Sequence, residues 1–175
     1  MAQRGSSRSK RPKTAQRPRR GVDIKAARGL AEWIILYQAY NAMFKVQELG
    51  LLPFKISLPQ LHVLSLLTYA GGELTTGEIG RAMVKASQTI TGLVDRLEVQ
   101  NLVERRFDRS DRRKTWVRLT DAGRERFAKA FPAATHQGED LFKVLNEDEL
   151  TALRNVAGKL RHAALQRLNV SLEGL

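Results

Sequence analysis

Three features of residues 73–123 predict a mainly α protein with a small β-hairpin wing. Two short helices follow one another, each opened by a capping signal. Two strand-like segments come next, and the loop joining them, Asp108 to Lys114, holds four cations among seven residues. Helix, turn, helix and basic hairpin in that order describe a winged helix-turn-helix.

Taken from the start, the 175 residues fit one domain plus a tail. Residues 1–20 hold eight Lys/Arg (Arg4, Arg8, Lys10, Arg11, Lys13, Arg17, Arg19 and Arg20) and no acid, so they carry eight of the chain's twelve net positive charges. With almost no apolar residue, this stretch cannot offset its ordering entropy, and residues 1–22 are predicted to be a disordered basic arm. Such an arm either tracks phosphates or serves only as a solubilising tail. No apolar stretch follows the charges, so no secretory signal is expected, and no run is long enough to span a bilayer. A cytoplasmic protein is expected.

The spacing predicts a first long helix over Ile24 to Leu49. Ala27, Leu30, Ile34, Tyr37, Asn41 and Phe44 form one stripe, and Trp33, Leu36, Tyr40 and Met43 another, so the helix asks for two partners. A second helix, Pro59 to Ala70, supports the lobe through Leu61, Leu64, Ser65 and Thr68 and stops at Gly71-Gly72. Thr75 with Glu78 makes a capping box, and Leu74 with Ile79 a hydrophobic staple, for a third helix over Thr76 to Met83. Ser87 is predicted to cap the fourth, Gln88 to Gln100. Its Ile90, Leu93, Val94 and Leu97 face inward and leave Gln88, Thr89, Thr91, Gly92, Asp95 and Arg96 outside. Small polar groups at a helix start suit base edges in a major groove. Leu102 to Phe107 and Thr115 to Leu119 read as the wing strands. Thr120 caps a long helix running to Leu141 and Leu145, with a bend expected at Pro132. Asn146 with Glu149 opens the last helix, whose Leu150, Leu153, Ala157, Leu160 and Ala164 repeat at near-heptad spacing. That stripe packs either within the chain or against a second one.

The segments GLVDRLEVQNLVERR and DRSDRRKTWVRLTDAG carry a resemblance to the MarR family of dimeric transcriptional regulators, extending over about Ile24 to Leu168. Asp111-x-Arg113 with Leu119-Thr-x-x-Gly123 is the specific combination. The resemblance implies that Arg113 enters the minor groove while Asp111 holds its guanidinium. A narrow minor groove does attract inserted arginine. The expected DNA contacts are Ser87, Gln88, Thr89, Thr91 and Arg96 on the fourth helix and Arg109, Asp111, Arg112, Arg113 and Lys114 in the wing. A solvated loop tip is the alternative for the wing charges. The resemblance also implies a homodimer, with 23–50 as a dimerisation helix, 51–119 as the DNA-binding lobe and 120–175 as C-terminal dimerisation helices.

The resemblance further implies a small aromatic or phenolic effector between those helices and the lobe, for which the chain offers Trp33, Tyr37, Tyr40, His62 and Tyr69. Aromatics at helical spacing serve equally well as ordinary core. Cysteine is absent, which excludes disulfides, thiolate metal sites and thiol redox sensing. His62, His136 and His162 lie far apart in sequence, so neither a metal nor any other cofactor is expected. No phosphate loop or nucleophile motif is present, so no enzyme is expected. The function that follows is a sequence-specific regulator, more often a repressor, on a palindromic operator. The alternative is a ligand-independent architectural DNA-binding protein resting on the basic arm.

Overall fold

The computed structural model describes residues 29–108, 111 and 114–171. The basic arm, Arg109, Arg112 and Arg113 therefore lie outside the described residues. The chain divides into two compact units after Tyr37. In the first, the described part is the start of helix α1 (Leu30–Leu51), where Trp33 and Tyr37 are 65% and 59% exposed.

The second unit holds the rest of α1, then α2 (Leu58–Tyr69), β1 (Glu73–Thr75), α3 (Thr76–Met83), α4 (Ser87–Val99), β2 (Val103–Phe107), β3 (Thr115–Leu119), α5 (Asp121–Phe142) and α6 (Glu147–Leu168). Its core is built from Leu61, Leu64 and Leu67 of α2, Ile79 of α3, Ile90, Val94 and Leu97 of α4, Val117 of β3 and Phe127 of α5. Short-range signals set most of the boundaries. Thr75 and Glu78 exchange the two hydrogen bonds of a capping box at α3, and Asn146 and Glu149 do the same at α6. The Thr120 hydroxyl accepts from the Gly123 amide at the start of α5, and Pro132 lies inside that helix.

Three expectations are corrected. The sheet has three strands in the order β1-β3-β2, because Glu73, Leu74 and Thr75 pair antiparallel with Arg118, Val117 and Trp116 as well as leading into α3. Helix α4 starts one residue early: Ala86 is its N-cap, with extended backbone and its carbonyl taking the Thr89 and Ile90 amides, and no side chain caps it. Ser87 is thus a helical residue. Helix α2 is capped by Ser57 in a box with Gln60, and it buries Val63 and Leu67, leaving Ser65 and Thr68 only half-buried. It is wrapped by neighbours on more than one face. Of the two packings expected for α6, the helix shows little of the first among the described residues: it buries none of its residues, and Leu153, Val156 and Leu160 are exposed.

Glu78 ties α3 to pH. The Thr75 amide and hydroxyl each donate to its carboxylate at 2.7 Å. First that backbone bond and then the hydroxyl bond hold its carboxyl below the usual glutamate range, with Arg81 and Lys114 adding to the effect. A lowered folded-state value contributes stability that is present above the unfolded value and lost as pH falls through the folded one. Glu78→Gln keeps an acceptor but removes the charge, and should cost on the order of 0.5–1 kcal/mol at pH 7. In urea unfolding the gap between wild type and variant should close as pH falls below about 4. A gap independent of pH would show that the charge contributes nothing.

Candidate nucleic-acid interface

Helix α4 presents two faces that differ in kind. Ile90, Leu93, Val94 and Leu97 are buried, whereas Ser87, Gln88, Thr89, Thr91 and Arg96 are exposed. The turn before it is tight. Val84 closes α3 in the left-handed region (φ 52°), where a β-branched residue is strained, and Lys85 donates its amide to the Gly80 carbonyl at 2.9 Å. That turn leaves the first residues of α4 in solvent with their polar groups outward. Thr91 is partly committed, since its hydroxyl donates to the Ser87 carbonyl at 3.0 Å. Ser87, Gln88 and Thr89 are the exposed polar residues at the helix start.

The wing loop is organised from its base by Asp108. One carboxylate oxygen accepts the Asp111 amide and the other the Trp116 indole N–H, both at 3.1 Å. The Asp108 amide donates to the Lys114 carbonyl at 3.2 Å, and the Lys114 amide to the Asp111 carbonyl at 2.9 Å. Lys114 is exposed and Asp111 half-buried. Four bonds thus close the loop on either side of the expected cationic tip. The contacts expected of Arg109, Arg112 and Arg113, and the grip of Asp111 on Arg113, lie outside the described residues.

Sequence reading missed Arg105. Its side chain, 19% exposed, bridges β2 to α4 through Asp95, Glu98 and the Thr91 carbonyl. The only hint in the sequence was an acid pair on α4 followed by an arginine in the next strand. Asp95, read as part of the outward polar face, is engaged with this arginine.

A cavity of about 250 Å³ lies among α1, α2, α3 and α5 of the second unit. Tyr40 and His62 line it, with Phe44, Gln47, Met83, Lys85 and Phe142 among the other walls. Gln47 contributes a buried amide oxygen that meets no donor among the described residues. Tyr69 is elsewhere, 73% exposed and edge-on to Phe127. Trp33 and Tyr37 belong to the first unit. Of the five expected ligand residues, the structure brings Tyr40 and His62 together. Among the described residues no cluster of three or more histidines and carboxylates could hold a metal ion, and no single helix is long and apolar enough to cross a membrane.

A helix pair joined by a tight turn, a wing closed at its base and a polar outward helix start define a DNA-binding transcriptional regulator of the winged-helix type. Residues 54–114 match the MarR family model. The chain is 30% identical to the uncharacterized HTH-type transcriptional regulator YsmB of Bacillus subtilis, over 62% of this chain and 74% of that one. It is 31% identical to the HTH-type transcriptional repressor MdtR of the same organism, over 60% and 67% of the two chains. Among solved structures it is similar to Bordetella bronchiseptica BpsR, described in a study of the regulation of its DNA binding by 6-hydroxynicotinic acid. That likeness has a TM-score of 0.69 and 25% identity, and covers 75% of this chain and 98% of BpsR. The chain belongs to the MarR family of transcriptional regulators.

Proposed function

We propose that this regulator acts in the cytoplasm as a homodimer on a palindromic operator, as a repressor that a small aromatic ligand releases. The observation that carries the reading is the division of α4 into a buried apolar face and an exposed polar start at Ser87, Gln88 and Thr89. A surface built only for phosphates would carry Lys/Arg there, and groups that both donate and accept suit base edges. In this reading 51–119 form the lobe that meets DNA, and 23–50 with 120–175 form the dimer. The unburied stripe of α6 supports a second chain, and two-fold symmetry then calls for two half-sites. Repression is supported by MdtR, which is named a repressor. The ligand is supported by the aromatic cavity at Tyr40 and His62, and by BpsR, whose DNA binding is described as regulated by 6-hydroxynicotinic acid. Release works only through differential affinity: the ligand must favour a lobe separation that does not match successive major grooves.

The test is a mobility-shift series on a duplex that the protein itself recovers from a random-sequence library, with random competitor. Gln88→Ala should flatten the difference between the recovered and random duplexes, each bidentate base contact being worth about 1–3 kcal/mol of discrimination. Equal loss on both duplexes would mean that this face of α4 does not read bases.

A further inference from the structure

We propose that Arg105 is a positioning residue for DNA recognition, a brace that sets the wing against the reading helix, and that Asp95 and Glu98 belong to this brace. The inference rests on the DNA-reading function proposed above. Arg105 lies on β2, and every polar contact recorded for it runs to α4. Its Nη1 pairs with Asp95 Oδ1 at 2.5 Å and with Glu98 Oε2 at 2.9 Å. Its Nη2 donates to the Thr91 carbonyl at 3.0 Å, and its own amide donates to Glu98 Oε1 at 3.1 Å. Thr91, Asp95 and Glu98 fall at i, i+4 and i+7, so one stripe of the helix holds one planar guanidinium. Two protein elements are tied at four points by a residue that is mostly buried.

Charge makes the arrangement informative. Asp95 is 53% exposed on the outward side of α4, in a protein with a net charge of +12. Facing a polyanion, a carboxylate there would oppose binding unless it did something else. Holding Arg105 supplies the reason. Beyond Val103, which is in the core, the outer part of β2 reaches solvent at Phe107, and Arg105 is its tie to α4. A wing and a helix meant for adjacent grooves must keep a fixed separation, and a forked arginine keeps it better than a point charge would.

The test uses the full chain and the duplex it recovers from a random library, with minor- and major-groove protection read separately beside affinity and melting temperature. Asp95→Ala removes a negative charge, so simple electrostatics predicts tighter binding. The brace predicts binding about 5- to 20-fold weaker, with wing protection in the minor groove lost and α4 protection in the major groove kept. Arg105→Lys keeps the charge but loses the fork, and should show the same selective loss. Glu98→Gln, a milder change, should show it more weakly while leaving the melting temperature near that of wild type. Tighter binding by Asp95→Ala, with Arg105→Lys unchanged, would make Arg105 a phosphate contact and overturn the brace. Loss of protection in both grooves together, in step with a fall in melting temperature, would reduce it to a fold contact. Wild type that recovers no preferred sequence would overturn the DNA-reading function itself.

Discussion

Gly123→Ala will destabilise the lobe by about 3 kcal/mol, at the upper end of what overpacking one methyl costs. Gly123 is buried in the first turn of α5. A Cβ there would overlap the Leu102 carbonyl oxygen and lie 2.8 Å from Leu119 Cδ1. That oxygen cannot withdraw freely. It accepts the Thr120 amide at 3.2 Å, while the Leu102 amide is held by the Leu97 carbonyl at 2.9 Å and the Leu102 side chain is buried. The Thr120 hydroxyl fixes the same junction by donating to the Asn101 carbonyl at 2.7 Å. Gly92→Ala is the control: nothing lies within 4 Å of its added methyl, and alanine in a helix interior should gain about 0.5–1 kcal/mol. Urea midpoints of the two variants should therefore move in opposite directions. A Gly123→Ala protein within 1 kcal/mol of wild type, judged at a precision of about 0.5 kcal/mol, would show that the α5 junction yields easily.

Arg113→Ala should weaken binding to the recovered duplex by on the order of 1–3 kcal/mol and leave the melting temperature unchanged. The expectation comes from its place in a cationic loop whose base is closed by Asp108, Asp111 and Lys114. If the loop enters a narrow minor groove, an arginine there meets concentrated negative potential. Asp111→Ala should cost less, because removing its charge also removes a repulsion of phosphate. Unaltered affinity of Arg113→Ala at physiological salt would mean that the wing does not enter the groove.

How much of this was legible in the sequence depended on the range of the interaction. The capping boxes at Thr75 and Asn146 and the cap at Thr120 join residues three apart, so their helix starts could be read directly. The inward face of α4 was legible too, because the helical period alone sorts Ile90, Val94 and Leu97 from Gln88 and Thr89. Strand β1 was not, since staple and cap fully account for Leu74 and Thr75 locally, and their partners on β3 lie far along the chain. Arg105 was hidden for the same reason: its meaning comes from a helix and a strand that only the fold brings side by side. The cavity wall is drawn from α1, α2, α3 and α5, so periodicity within one helix could not separate aromatics that line it from those that lie elsewhere, such as Tyr69.

The hydrogen bond from the Trp116 indole to Asp108 has an optical consequence. The chain has two tryptophans, Trp33 and Trp116, and only the second is bonded to the base of the wing loop. In a Trp33→Phe background the whole indole emission would report from that loop, its wavelength and polarisation set by whether the indole N–H meets a carboxylate or water. The protein thus carries its own dye at the point where minor-groove contact is expected, and stopped-flow emission could time wing engagement separately from helix docking without any attached label.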